Sequence, residues 1–128
     1  MEHAIEGEVL IVEDEALLLL SLGDDLRDAG LVVHEAYDAT QALRVLDEQP
    51  GIRLVFTDVD MPGGMNGLEL SAVVRARWPR IEVVVTSGKA VPAVGALPES
   101  CMFLPKPYTT DAVLGVMRRA LDEDRALA

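Results

Sequence analysis

The stretch VFTDVDMPGG (residues 55–64) ends a short apolar run on Asp58, repeats the carboxylate at Asp60 and breaks on a proline and two glycines. A brief run of β-branched and aromatic residues bounded by such a breaker reads as a buried strand, here residues 52–57, followed by a loop over 61–66. A strand that stops on a carboxylate can be an ordinary exit, part of a metal ligand set, or a nucleophile held at a strand tip. The rest of the chain has to decide.

The same grammar repeats outward. EVLIV (8–12) is too short and too β-branched for a helix and reads as a first strand, with helix formers over 15–29 until Gly30. Residues 31–37 form a second strand, and Asp38 is placed as the N-cap of a helix through residue 48, before Pro50 and Gly51. A helix over 67–78 carries Leu68, Leu70, Val73 and Val74 on its apolar side and closes at Pro79. Strands over 81–85 and 102–104 follow, then a helix from Thr109 or Thr110 to about residue 123. Val113, Val116, Met117, Ala120 and Leu121 share one face of it. Strands alternating with helices imply an α/β chain with a parallel sheet covered on both sides. One interval departs: SGKAVPAVGALPES (87–100) holds Pro92, Gly95 and Pro98 at close spacing, which predicts a loop or a single turn.

The 128 residues suit one domain, 1–128 with a core over about 8–121, and half of them are hydrophobic. No apolar stretch is long enough to span a bilayer, and the acidic start MEHAIEGE does not read as a secretory signal. A formal charge of −11 repels a phosphate backbone and argues against direct nucleic-acid binding. Cys101 is the single cysteine, so no internal disulfide forms; a reducing, cytoplasmic setting is expected, with an inert buried thiol. The run Leu17 to Leu20 sweeps most of a helical circumference, so at least one of its leucines should face solvent.

Parallel α/β sheets gather functional groups outside the carboxyl ends of their strands. Four sets fall there: Glu13 and Asp14, Asp58, Thr86 and Ser87, and Lys106. Taken singly, the acids could serve the helix dipole, Lys106 could keep a loop soluble, and the hydroxyls could make turn bonds. Their joint arrival at one edge favours a site. Magnesium prefers oxygen ligands, and an ionised carboxylate can attack phosphorus to give an acyl phosphate without any histidine base. His34 lies within the second strand, away from this edge, and reads as structural.

The ordered fragments VLIVEDE, VFTDVDMP, VVVTSGK and FLPKPY resemble the receiver domains of bacterial two-component response regulators. The resemblance implies a flavodoxin-like (CheY-like) doubly wound sheet of order 2-1-3-4-5, its fourth helix here short or replaced by a loop. It also implies that Asp58 accepts a phosphoryl group from a kinase phosphohistidine. Asp14 would bind Mg2+, with Glu13 acting directly or through water and Asp60 offering its backbone carbonyl. Thr86 would report the phosphoryl group, Lys106 would pair with it, and Phe103 stands at the position of an aromatic switch. The Lys106–Pro107 bond resembles the family's cis peptide. Implied partners are a sensor histidine kinase or phosphotransfer protein, docking on the first helix and nearby loops, and a downstream protein target; a role as a phosphate sink is the alternative to that target.

Two departures stand out. MPGGMNG is one residue longer than the commonest receiver version, and the Pro/Gly-rich interval puts the usual pairing face in question. Both features are similar to short, stand-alone receivers found with atypical histidine kinases, and the chain ends just past its last helix. Two other readings stay open: a haloacid-dehalogenase-like phosphohydrolase built on the DVD motif, and a receiver segment of a longer hybrid kinase or regulator.

Overall fold

The computed structural model describes residues 5–88, 97 and 100–127, with side chains up to residue 122. Its elements are β1 (Glu8–Val12), α1 (Ala16–Asp28), β2 (Val32–Ala36), α2 (Ala39–Glu48), β3 (Ile52–Asp58), α3 (Gly67–Arg77), β4 (Glu82–Ser87), β5 (Met102–Pro105) and α4 (Thr110–Leu127). The sheet has the order β2-β1-β3-β4-β5, and each neighbouring pair is parallel. The parallel sheet is the one expected from the alternation of strands and helices, and its order is the doubly wound one that the receiver resemblance implies.

Alternate residues of the central strands supply two separate cores. Val9, Ile11, Leu54, Phe56 and Val84 face one side, where Leu19, Leu22 and Leu26 of α1 meet Val113, Met117 and Leu121 of α4. Leu10, Val12, Val55, Val83 and Val85 face the other, against Ala42 and Leu46 of α2 and Leu70 and Val74 of α3. Burial of each valine, leucine, isoleucine, phenylalanine or methionine among them stabilises the fold by roughly 1.5–3 kcal/mol before conformational entropy is counted. Because both faces are covered, β1 and β3 read as continuous apolar runs rather than alternating ones.

Local signals fix the helix starts. Asp38 accepts from the Gln41 amide at 2.8 Å, as its N-cap placement requires. Asn66 and Glu69 form a reciprocal capping box on α3, with Glu69 N–H to Asn66 Oδ1 at 2.9 Å and Asn66 N–H to Glu69 Oε1 at 3.0 Å. Thr109 Oγ1 accepts from the Ala112 amide at 3.1 Å, which starts α4 at Thr110. Most boundaries fall within two residues of expectation; α4 instead runs to Leu127, past the expected end near 123. Of the interval 87–100 expected to be a loop or a single turn, residues 89–96 and 98–99 lie outside the described residues.

Candidate functional site

The parallel registers carry the ends of β1, β3 and β4 to one edge. Val12 stands beside Thr57, and Asp58 beside Thr86. Directly after β1, Glu13 is 3% exposed: its amide donates to Ala36 O at 3.0 Å, and its Oε2 accepts from the Glu15 amide at 3.0 Å. Glu15 is the N-cap residue of α1, so Glu13 is fixed both by the sheet and by the helix start. Asp58, the last residue of β3, is 5% exposed. Its Oδ1 accepts from the Asp60 amide at 3.2 Å.

Lys106 follows β5 and is held by its amide, which donates to Ser87 O at 2.9 Å. Its ammonium donates to Asp58 Oδ2 at 2.8 Å and to Glu13 Oε1 at 3.2 Å. The Lys106–Pro107 peptide is cis, as the resemblance implies. Carboxylate oxygens of Glu13, Asp14 and Asp58 all lie within 4.8 Å of one another, with Asp14 exposed at the mouth.

These charges shape one another. Burial pushes the Glu13 carboxyl up, the Asp58 charge adds to this, and the Glu15 amide and Lys106 oppose it. Burial alone would lower the Lys106 ammonium. Its hydrogen bonds to Asp58 and Glu13, and their charges, more than reverse that and hold it above its ordinary range. Among the described residues, three carboxylates against one ammonium leave surplus negative charge, and the donors are all hard oxygens. That combination fits a divalent cation of the magnesium type, bound through few protein ligands.

Other expected residues sit around this centre. The Asp60 side chain is exposed and is not one of the three gathered acids. Thr86 is 1% exposed and its Oγ1 has no hydrogen-bond partner. Phe103 pairs in register with Val85 and packs, half-buried, against the α2–α3 core rather than the carboxylates. Cys101 is half-buried rather than fully buried. His34 bonds Glu8 Oε2 at 3.2 Å, away from the site. A cavity of about 380 Å³ borders the centre, lined by Glu15, Leu18, Gly88, Lys106, Pro107 and Tyr108. Burial pushes the Tyr108 hydroxyl up to about 12, and its ring meets Phe56 edge-on at 5.7 Å.

Sequence reasoning passed over Tyr108, the Asn66–Glu69 box and Gly67. The box was legible as N-x-x-E before an apolar run. Tyr108 and Gly67 carry no such mark, because their roles depend on which elements approach them. Among the described residues no helix is long and apolar enough to cross a membrane.

Comparison with known proteins agrees with this geometry. A sequence profile for the response regulator receiver domain matches residues 9–117. The chain is 34% identical over 124 residues to the C4-dicarboxylate transport transcriptional regulatory protein DctD of Pseudomonas aeruginosa, covering 94% of this chain and 26% of that one. It is 33% identical over 119 residues to the sensor kinase CckA of Brucella abortus, covering 90% and 12%. The first relatives it matches are about four times its length, since it covers 25% of each. Among solved structures it is similar to a response regulator receiver domain protein of Clostridium thermocellum, with a TM-score of 0.88, 25% identity and coverage of 95% and 99%. NtrX of Brucella abortus superposes with a TM-score of 0.86 at 29% identity, covering 95% of this chain and 29% of that one. The phosphohydrolase reading of the DVD motif finds no favour in these matches.

Proposed function

The chain belongs to the response regulator receiver domain family, and from that premise we propose that Asp58 accepts a phosphoryl group from the phosphohistidine of a histidine kinase or phosphotransfer protein. The observation that carries this reading is the buried Thr86 hydroxyl, which has no partner and stands in register beside Asp58. Buried polar groups are ordinarily satisfied, so such a hydroxyl suits an acceptor that arrives with the reaction.

Each side chain then has a definite task. Asp58 is aligned through its two oxygens, Oδ1 on the Asp60 amide and Oδ2 on Lys106. One of these oxygens forms the bond to phosphorus while the phosphorus–nitrogen bond of the donor breaks, and the imidazole nitrogen keeps that electron pair. The Lys106 ammonium stabilises charge on the transferring oxygens, and the Thr86 hydroxyl donates to one of them. Glu13, Asp14 and Asp58, with the Asp60 carbonyl, would hold Mg2+, which when bound neutralises phosphoryl charge. No separate substrate is turned over, so the domain signals rather than catalyses; hydrolysis of its own acyl phosphate resets it.

For docking, Leu17 and Leu20 are 83% and 54% exposed on α1, the helix whose Leu18 lines the cavity. Apolar area on that helix suits a helical phosphodonor, and the protein then acts through protein contacts or drains phosphate from its kinase.

Incubation with radiolabelled acetyl phosphate, or with a phosphorylated kinase, should label the protein stoichiometrically with Mg2+ present. Chelation of the metal should abolish labelling, and so should Asp58→Asn. Equal labelling of the Asp58→Asn protein would overturn the assignment.

A further inference from the structure

Behind Asp58 lies a set of contacts that the chemistry above does not use. A Cβ built on Gly67, the first residue of α3, would sit 2.0 Å from the Asp58 carbonyl oxygen, 2.7 Å from its carbonyl carbon and 2.8 Å from Val59 Cα. No side chain larger than hydrogen fits, and the obstacle is backbone, which cannot swing aside as a flexible side chain could. The same Asp58 oxygen accepts from Thr57 Oγ1 at 3.0 Å, and Thr57 is fully buried. The Gly67 amide donates to Val59 O at 2.9 Å, while the Val59 amide donates to Thr86 O at 2.9 Å. Ser71, also fully buried, donates its hydroxyl to Gly67 O at 2.7 Å and so ties the first turn of α3 to this contact.

The start of α3 is thus pressed onto the peptide that carries Asp58 and leads to Asp60. By contrast, Cβ atoms built on Gly63 and Gly64 in the preceding loop would meet nothing within 4 Å. The loop tip has room for side chains; only its junction with α3 does not. Gly63 needs glycine for a different reason, its positive φ of 95°.

We propose that Gly67 is a positioning residue for phosphoryl acceptance. Its missing side chain lets α3 seat directly against the Asp58 carbonyl, and this contact sets where the Asp58 carboxylate stands relative to Lys106, Glu13 and Asp14. The proposal rests on Asp58 being the phosphoacceptor. In Gly67→Ala the methyl has to open the contact by roughly 1.5 Å to reach ordinary van der Waals distance. Even a displacement of about 1 Å at a reacting group costs on the order of a hundredfold in rate.

The test compares acetyl phosphate labelling rates per folded molecule for the wild type, Gly67→Ala and Val74→Ala, together with Mg2+ dissociation constants from calorimetry. Val74 is fully buried on the same helix but belongs to the α2–α3 core, so its truncation loosens α3 without touching the Asp58 peptide. Gly67→Ala should label at least tenfold more slowly and bind Mg2+ more weakly, whereas Val74→Ala should match the wild type in both. Should Gly67→Ala fail to fold, Thr57→Val takes its place: it removes the hydroxyl on the Asp58 carbonyl at nearly constant volume and should slow labelling several-fold. Wild-type rate and Mg2+ affinity in the folded Gly67→Ala protein, or in Thr57→Val if that is the variant measured, overturn the proposal. So does an equal loss in Val74→Ala, which would make the effect one of helix stability. Absence of labelling in the wild type would instead overturn the phosphoacceptor reading itself.

Discussion

On the β3 side of the site the residue that follows Asp58 is tied from both directions: the Val59 amide donates to Thr86 O and the Val59 carbonyl accepts from the Gly67 amide, each at 2.9 Å. One strand away, the Thr86 hydroxyl is just as buried and has no partner. β5 beyond it is only half-buried along Met102, Phe103 and Leu104, whereas β3 is buried at every position but Arg53. The proposed acceptor is therefore clamped, and the side that would respond to it is left under-satisfied. Rigidity in the first lowers the cost of aligning the nucleophile. An unmet bond in the second gives a phosphoryl group something to change.

The largest blow to this contrast should come from Lys106, which among the described residues is the cation that joins the two sides. Lys106→Met removes the donor from Asp58 Oδ2 and from Glu13 Oε1 and leaves two buried carboxylates facing each other. Labelling should fall about a hundredfold, in line with loss of a preorganised charge donor. Without Mg2+ the variant should also lose about 1–3 kcal/mol of stability, the cost of stranding buried acceptors. Its affinity for Mg2+ should rise at least several-fold, because a neighbouring positive charge is gone. Chemical denaturation with and without the metal measures both effects. Unchanged stability in the metal-free variant would mean that the acids are better solvated than their burial implies.

Which parts of this arrangement were legible in the sequence follows from the same physics. Strands buried on both faces are written as short apolar runs, so β1, β3 and β4 were readable, and each run ended at the residue that now lines the site. Glu13, Asp14, Asp58 and Lys106 were legible because polar residues at strand tips stand out against those runs. Two kinds of feature were not. The end of α4 was expected near residue 123, although the residues beyond it include good helix formers (RALA) with no glycine or proline to stop the helix. The tight approach of Gly67 to Asp58, and the unpartnered state of Thr86, are properties of juxtaposed elements. A glycine after an N-cap asparagine carries no local sign of the backbone it will touch.

A smaller effect is expected at Thr86 and would sharpen the contrast directly. Thr86→Val keeps the shape and deletes a buried hydroxyl that has no partner, so the unmodified protein should gain on the order of 1 kcal/mol instead of losing stability. Phosphorylation should still occur, but the rise in melting temperature it produces in the wild type should shrink in the variant. Destabilisation of unmodified Thr86→Val would show that the hydroxyl already has a role before phosphorylation, and the two sides would no longer differ in kind.

Cys101 offers the mildest probe, since it is outside the carboxylate site and Cys101→Ala should label normally. It lies at the start of the half-buried β5 flank, yet burial pushes its thiol up from about 9 to about 11, with Glu82 adding to the shift and Arg75 opposing it. Only the thiolate reacts readily, so alkylation near pH 8 should run roughly a hundredfold slower than for a free thiol. The sign of the linked stability effect follows from proton binding. Between pH 9 and 11 the folded chain holds a proton that the unfolded chain has released. This contribution is therefore fully present below about 9 and is lost as pH rises through 11. Denaturation midpoints at pH 8 and pH 10.5 should accordingly fall further apart in the wild type than in Cys101→Ala. Alkylation as fast as that of a free thiol would mean that water reaches this flank, and the under-satisfied side of the site would then be wet rather than dry and waiting for a partner.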